Sequence, residues 1–501
     1  MDAIFAGFDQ ITHVSVILAL FAGAISGVII GAIPGLGPAV AIAVLLPATY
    51  SMEPLTALTL LLGIYSGAWY GGAIPAILIN TPGTPVNVLT TYDGYPMTLA
   101  GQARRALSLA YSASFVGGIL SVIVLIMLAQ PLADIASNFG SAEFAMAALM
   151  AMVLVVIAHR GRVVAAAMTL AFGLFLATIG LETAFNTQRF TFGQVWLQGG
   201  IPLIPLVLGL FAMSQAFVLL LEKDEAQEPP KLVGRFFEGL TEIFRYPKTL
   251  FSSSGFGIFM GILPGVGEFL AQFFSYTLAQ KTSKTPEMFG KGAPEGLIAS
   301  EAANNAVPAA ALVPLLALGI PGEALTAMML SVFMVHNVVP GPELFAGRPE
   351  FISGLYISLL LMNIVILLFL LVATRGIVKL SQVNTKFIGV VILALTLVGT
   401  YTANYNITDP LMALAFGLIG FILKRHNIPI VPIVLGLVLG PIFEARLRQA
   451  LGTAGGDMMV FIDRPYSAGL VAIMAVAVIA IAESARRRRK LERQILNAGK
   501  K

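Results

Sequence analysis

Apolar runs long enough to cross a bilayer recur along the whole chain, separated by short polar stretches, and they predict a protein built from spanning helices. An apolar run over 15–33 ends at Pro34-Gly35-Leu36-Gly37-Pro38, and a second run over 39–49 is too short to span comfortably. Residues 15–50 therefore predict a re-entrant hairpin with its tip at Pro34, Gly35 and Gly37. Residues 55–98 predict a spanning helix interrupted in its middle by Asn80-Thr81-Pro82-Gly83-Thr84-Pro85-Val86-Asn87. A Pro-Gly step breaks a helix, because Pro lacks an N–H and clashes with the preceding turn. In hydrocarbon such a break is tolerated only where the freed backbone groups line a protein-enclosed or watered cavity. Apolar runs follow at 106–129, 144–158, 163–180 and 201–221, and then a polar linker over 222–248. The linker holds Pro229-Pro230 and an amphipathic piece around Phe236, Phe237, Leu240, Ile243 and Phe244, suited to a membrane surface.

The pattern then restarts. Gly261-Ile262-Leu263-Pro264-Gly265-Val266-Gly267 repeats Gly31-Ala32-Ile33-Pro34-Gly35-Leu36-Gly37, which makes Pro264, Gly265 and Gly267 a second tip. A second interrupted segment over 297–340 breaks at Gly319-Ile320-Pro321-Gly322-Glu323. Further runs lie at 353–374, 387–402, 409–423 and 428–443. Met412 to Leu418 repeats Met168 to Leu174, and Ile428 to Leu437 repeats Ile201 to Leu210. Four motifs in the same order predict an internal duplication. A last apolar run over 466–483 falls outside it. If each half is one hairpin plus five crossings, only Arg189, Arg348, Arg446, Arg448 and Arg464 of the 30 Lys and Arg fall on one side. The other side, which includes Arg104, Arg105 and the tail from Arg486, is then cytoplasmic. An odd number of crossings inverts the second half. The expected fold is an all-α polytopic membrane protein of two inverted repeats, each a re-entrant hairpin and about five spanning helices with one broken, plus an extra C-terminal helix. Its divisions are a first repeat at 1–221, a cytoplasmic linker at 222–250, a second repeat at 251–445, and a C-terminal helix and basic tail at 446–501. Each Pro-Gly element is a hairpin tip or a kink in an ordinary spanning helix.

Composition agrees with that class and closes off others. The chain is 57% hydrophobic and only 11% charged, and its mean hydropathy is +0.88. A soluble domain would carry about twice that charged fraction. The net charge of +4 comes from loop clusters and a tail rather than a nucleic-acid surface, so no nucleic-acid partner is expected. There is no cysteine, which rules out disulfides and thiolate metal sites. Asp2 and Asp9 without a basic n-region predict no cleaved signal peptide. The four His are dispersed, with no pair at helical metal-ligand spacing, so no metal site is expected.

With these motifs in view the chain resembles the large permease subunit of the tripartite tricarboxylate transporters, the TctA type, over nearly its whole length. The resemblance rests on Gly31 to Gly37, on Asn80 to Pro85, on Asp93-Gly94-Tyr95-Pro96-Met97 with Gly101 to Arg105, and on Glu301 to Ala306. Gly319 to Gly322, His336 and Pro340-Gly341-Pro342 complete it. It implies a multi-pass permease of the cell inner membrane that works with a small membrane subunit and a periplasmic solute-binding protein. It also implies cation-coupled uptake of citrate-like or other carboxylates.

The residues themselves say what a site could be made of. The hairpins and broken helices carry no Lys or Arg in their cores, so an anionic substrate would meet neutral donors and helix N-termini. Asn80, Thr81, Pro82, Gly83, Thr84 and Asn87 in the first half, with Gly319, Pro321, Gly322 and Thr326 in the second, are the candidate substrate-binding residues. One central site bridging both breaks is expected, because neither half alone offers enough donors for several carboxylates. The plain alternative for each Asn or Thr is a helix-to-helix hydrogen bond. Acids in apolar context are expensive, and Glu268, Glu301, Asn304 and Asn305 are the candidates for coupling to Na⁺ or H⁺. Glu323 lies in a first helical turn, where an acid complements the helix dipole. Asp93 reads as a turn residue beside Gly94 and Pro96, and His336 as a helix-end residue. No Gly-x-Ser-x-Gly elbow and no pair of embedded Asp residues argues for an enzyme. The expected function is a binding-protein-dependent secondary transporter working by elevator-like alternating access. A passive channel, or a carrier for other small organic anions, is the alternative.

Overall fold

The structure is a computed structural model that describes every residue except 1, 34–35, 160, 183–186, 222–237, 264–267, 381–384, 477 and 480–501. In the first half the helices are α1 (Asp2–Thr12), α2 (Val14–Gly31), α3 (Gly37–Leu45), α4 (Pro54–Ile79), α5 (Val88–Leu99), α6 (Ala103–Ala136), α7 (Ser141–Ala158) and α8 (Val163–Ala177). A two-stranded ribbon follows, β1 (Gly180–Leu181) antiparallel to β2 (Gln188–Arg189). Next come α9 (Leu203–Val207), a π-helical turn over Leu208–Met213, α10 (Ser214–Leu221) and α11 (Glu238–Glu242). The second half contains α12 (Pro247–Ile262), α13 (Glu268–Thr282), α14 (Pro294–Leu318), α15 (Ala324–Val335), α16 (Pro342–Gly347), α17 (Pro349–Leu380), α18 (Thr385–Asn404), α19 (Thr408–Arg425), α20 (Val431–Thr453) and α21 (Val460–Asp463). A further apolar helix covers Pro465–Val476. Seven helices among the described residues are long and apolar enough to cross a membrane. The protein is an all-α polytopic membrane protein.

The described chain forms two compact units, and each draws on both halves of the sequence. The first comprises 1–137 and 202–427, the second 138–201 and 428–501. In the first unit α4 and α14 are the central helices, each 94% buried over its apolar window, while α17 and α18 are only 39% and 28% buried. Burial on all sides explains why α4 and α14 lack one apolar face and tolerate Asn, Ser and Glu, which neighbouring helices can pair.

Glycines set the closest contacts. Gly23, Gly27 and Gly31 of α2 lie against the backbone at Leu60, Ile64 and Ala68 of α4. Gly63, Gly67 and Gly71 of α4 lie in turn against Ala24 and Val28 of α2. Glycine every fourth residue on both helices lets the backbones touch, the small-residue packing that stands in for a hydrophobic driving force between spanning helices. In the second half, Gly257 and Gly261 of α12 pack on Ala303, Ala306, Val307 and Ala310 of α14. The amphipathic linker piece supplies α11, whose Gly239 N–H donates to Ser108 Oγ of α6 at 3.1 Å. Arg105 of α6 pairs with Glu242 of α11.

The repeated motifs pack crosswise. In the first unit, α19, which carries Met412 to Leu418, packs on the 203–221 segment, with Gly209 against Ala413 and Phe416. In the second unit, α8, which carries Met168 to Leu174, packs on α20, with Gly436 against Leu170 and Gly173 against Ile433. Among the described residues four ion pairs hold the second unit, Arg464–Glu143 at 2.6 Å, Arg189–Glu444 and Arg448–Glu444 at 2.9 Å, and Arg448–Glu182 at 3.2 Å. The tip residues Pro34, Gly35, Pro264, Gly265 and Gly267 lie outside the described residues. Gly37 opens α3 with a φ of 42°.

Candidate functional site: two helix breaks and a buried carboxylate

Both interrupted segments break where the Pro-Gly steps stand, and they break alike. α4 ends at Asn80, which is left-handed at φ 56°. α14 ends at Gly319, left-handed at φ 69°. A left-handed residue closes a helix by turning the chain away from the next carbonyl, and Gly and Asn accept that conformation most readily. Beyond each stop the chain is held close to another backbone. A Cβ on Gly83 would strike the Gly31 carbonyl, and one on Gly322 would come within 3.0 Å of the Gly261 carbonyl. Then an extended residue opens the next helix, Thr84 before the 3₁₀ turn Pro85–Asn87 and α5, and Glu323 before α15. Thr84 Oγ1 donates to Asn87 Oδ1 at 2.5 Å. Thr326 Oγ1 accepts from the Glu323 N–H at 2.8 Å, and Glu323 accepts in turn from the Leu325 N–H at 3.2 Å. Glu323 is thus a helix cap, as an acid in a first turn is expected to be. Its carboxylate also accepts from the Tyr65 hydroxyl of α4.

Glu301 joins the two halves. It lies on α14, is 0% exposed, and accepts hydrogen bonds from groups on three other elements. Asn87 Nδ2 donates to Oε1 at 3.4 Å, and Thr90 Oγ1 of α5 donates to the same oxygen. Ser114 Oγ of α6 donates to Oε2 at 2.9 Å, and Asn305 Nδ2 reaches Oε2 at 3.4 Å and Ser114 Oγ at 2.8 Å. Every one of these donors is neutral. In the ionised state Glu301 holds a net negative charge deep in the protein, which is costly unless it is compensated. Asn305 also lines a cavity of about 10 Å³ with Ser66, Tyr70, Gly118 and Asn363, room for about one water. There Tyr70 donates to Asn363 Oδ1 at 2.6 Å.

The remaining expected residues are distributed unevenly. Thr84, Asn87, Gly83, Pro321, Gly322 and Thr326 are buried, whereas the Asn80 side chain is exposed and Thr81 Oγ1 donates locally to the Ile79 carbonyl at 3.2 Å. Asn305 bonds to Glu301, but Asn304 does not; both Asn304 amide atoms are buried without a partner. Glu268 opens α13, and its side chain lies outside the described residues. His336 closes α15 as a helix-end residue, 7% exposed, with Nε2 2.9 Å from Thr49 Oγ1. Asp93 differs from the turn reading. It sits inside α5, 0% exposed, and its Oδ1 accepts the N–H groups of Gly290, Gly292 and Ala293 at 2.8–2.9 Å while Oδ2 accepts Tyr276 at 2.7 Å. The positive φ values of Gly290 (80°) and Gly292 (102°) fold that loop into an anion-accepting nest. Asp93 therefore ties α5 to α13 and to the start of α14. The sequence did not single out Thr90, Ser114, Tyr65, Tyr70 or Asn363, all of them common residue types whose role comes from contacts between distant parts of the chain.

Comparison with known proteins bears on this arrangement. A family model described as "Tripartite tricarboxylate transporter TctA family" matches residues 17–435. A protein of Agrobacterium vitis described as "Uncharacterized 52.8 kDa protein in TAR-I ttuC' 3'region" is 35% identical over 486 residues, 96% of each chain. A second, "Uncharacterized protein in TAR-II ttuC' 3'region" from the same organism, is 34% identical over 223 residues, 44% of this chain and 92% of its own. No solved structure matches the chain. The matched span contains both helix breaks and Glu301, and the chain belongs to the tripartite tricarboxylate transporter TctA family.

Proposed function

We propose that this chain is the permease subunit of a secondary transporter that takes up tricarboxylates or related carboxylates, driven by a cation gradient. Membership of the family implies a membrane subunit of a transporter with further components. We assign those components as a small membrane subunit and a periplasmic solute-binding protein, and place the permease in the cell inner membrane with its C-terminus cytoplasmic, as the Lys and Arg distribution supports. The observation that carries the reading is Glu301, a carboxylate of the second half held by neutral donors that include Asn87 at the break of the first half. Such a group couples ion occupancy to the geometry of both halves, which is what a symporter needs and a passive channel does not.

In this reading the two breaks line the substrate path, with Asn80, Thr81, Pro82, Gly83, Thr84 and Asn87 on one side and Gly319, Pro321, Gly322 and Thr326 on the other. Glu301 and Asn305 form the coupling site for Na⁺ or H⁺, and Glu268 is assigned to the same role. The inverted duplication, with repeats at 1–221 and 251–445 around a linker at 222–250 and a C-terminal segment at 446–501, is supported by the matched construction of the two breaks and by the crosswise packing of the repeated motifs. The tips at Pro34, Gly35 and Gly37 and at Pro264, Gly265 and Gly267 belong to its hairpins. Alternating access in the manner of an elevator is the transport mode assigned to the permease. Counterflow in proteoliposomes tests this reading. Internal citrate that accelerates entry of labelled citrate, with entry dependent on an imposed Na⁺ or H⁺ gradient, is the expected result; entry without trans-stimulation would make the protein a channel.

A further inference from the structure

Gln272 and Asn304 are the two side chains, among the described residues, whose amide nitrogen and oxygen are both buried and both without a hydrogen-bond partner. Each residue is 0% exposed. Buried polar groups in proteins are paired as a rule, and four unpaired atoms on two adjoining helices point to a polar ligand.

Two sets of contacts place these amides. α13 and α14 run antiparallel: Tyr276 lies by Gly296, Ser275 Oγ donates to the Ala299 carbonyl at 2.8 Å, and Ala271 packs with Val307 and Ala311. Gln272 on α13 and Asn304 on α14 both fall between the last two levels. α5 crosses the same pair: Asp93 bonds Tyr276, Leu89 clusters with Tyr276 and Ala299, and Asn87 and Thr90 bond Glu301. Beyond those contacts, at the next level, stand Thr84 to Val86 ahead of α5, Gln272 on α13 and Asn304 on α14. The two unpaired amides therefore lie at the level of the 3₁₀ turn that leads into α5. The start of that turn and helix carries the positive end of the helix dipole, which favours an anion over a cation.

The two breaks also differ at matching positions. Asn304 stands as far before Pro321 as Tyr65 stands before Pro82. Tyr65 reaches across to Glu323, the cap of the second break, and fills that place with a hydroxyl–carboxylate bond. The matching cap of the first break is Thr84, whose hydroxyl goes to Asn87. Asn304 is shorter than tyrosine and bonds to nothing there. The second break thus presents a carboxylate and is closed by a tyrosine, while the first presents no carboxylate and leaves the Asn304 amide beside it without a partner.

We propose that a carboxylate group of the transported anion docks at the first break, accepting hydrogen bonds from Gln272 Nε2 and Asn304 Nδ2 beside the positive end of the Pro85–Asn87 turn and α5. This rests on the permease reading above and adds to it the substrate's anchoring point and a residue, Gln272, outside the Pro-Gly elements. The test is equilibrium binding of labelled citrate to the purified full-length chain in lipid nanodiscs at fixed Na⁺ and pH, with thermal unfolding of every variant to establish folding. Asn304→Ala and Gln272→Ala should each weaken citrate binding by about 10-fold or more, as for loss of a hydrogen bond to a charged group. Asn304→Asp and Gln272→Glu should abolish it, because each would set a carboxylate against the substrate's own. Folded Asp and Glu variants that bind citrate as the wild type does would overturn the proposal, as would variants whose citrate binding, repeated over a Na⁺ titration, shows a tightened Na⁺ requirement, the second result making this a cation site. The two residues lie on different helices, so if one variant fails to fold the other decides. A wild-type chain that binds no citrate, succinate or other small carboxylate overturns the permease reading and this proposal together. A wild type that binds alongside unaffected alanine variants overturns this proposal alone.

Discussion

Asn87 donates from Nδ2 to Oε1 of Glu301 across 3.4 Å, joining two residues 214 positions apart in the chain. The contact couples the first break to α14, so any change in the charge of Glu301 is felt by the chain that interrupts α4 and α5.

Glu301→Gln should separate coupling from folding. Glutamine keeps one acceptor oxygen for Thr90 or Ser114 but turns a donor toward the others. Removal of a buried charge offsets those poorer bonds, so stability should shift by only about 1 kcal/mol. Uptake measured against imposed Na⁺ and H⁺ gradients should lose its ion dependence. Unchanged ion dependence in a well-expressed variant would make Glu301 purely structural.

Asp93→Asn should destabilise the protein strongly. The carboxylate accepts three backbone N–H groups and one hydroxyl, and asparagine offers one oxygen in its place. Losing hydrogen bonds to a buried charged acceptor costs about 1.5–3 kcal/mol each before compensation. Tyr276→Phe removes one donor alone and should cost less. Denaturant unfolding in detergent ranks the two, and a larger loss for Tyr276→Phe would contradict the role given to Asp93 in tying α5 to α13 and α14.

Gly83→Ala should be worse than a surface alanine. The added Cβ meets the Gly31 carbonyl and Gly72 Cα, neither of which can swing aside as a side chain can. Overpacking of this kind costs about 1–3 kcal/mol. A thermal midpoint equal to that of wild type would mean that the break yields.

In the second unit, Arg464→Ala should cost about 2–3 kcal/mol. It leaves Glu143, 1% exposed, without its cation and with only the Gly140 N–H at 2.8 Å. The double variant Arg464→Ala with Glu143→Ala should recover part of that loss, which a double-mutant cycle measures.

Orientation can be read directly, because the chain has no cysteine of its own. A single cysteine at position 104 should label from the cytoplasmic side, and one at Ser51 from the periplasmic side. Labelling of position 104 only from the periplasm would reverse the assignment.

Much of this architecture was visible in the linear pattern. Pro82-Gly83 and Pro321-Gly322 mark both breaks because no helix continues through them, and Glu301 stands out because a carboxylate in an apolar run needs a reason. The partners of Glu301 were not visible. Thr90 and Ser114 are ordinary polar residues of packed helices, and only tertiary contact selects them. Asp93 was misread because Gly94 and Pro96 beside it suggest a turn. In the fold Pro96 is carried within α5, and the four donors on Asp93 hold that helix in place. The two units, each assembled from both halves, could not be inferred either, since they depend on α8 meeting α20 and α19 meeting the 203–221 segment.

The glycine contact between α2 and α4 bears on how motion could pass through the first half. Where side chains interdigitate, helices can shift by changing rotamers; where backbone lies on backbone there are no rotamers to change. Sliding α2 along α4 would drive each glycine notch onto its neighbour's Cβ. The pair is therefore a rigid strut, and it ends at Gly31 on one limb and at Asn80 on the other. Whatever displaces one end must carry the other with it.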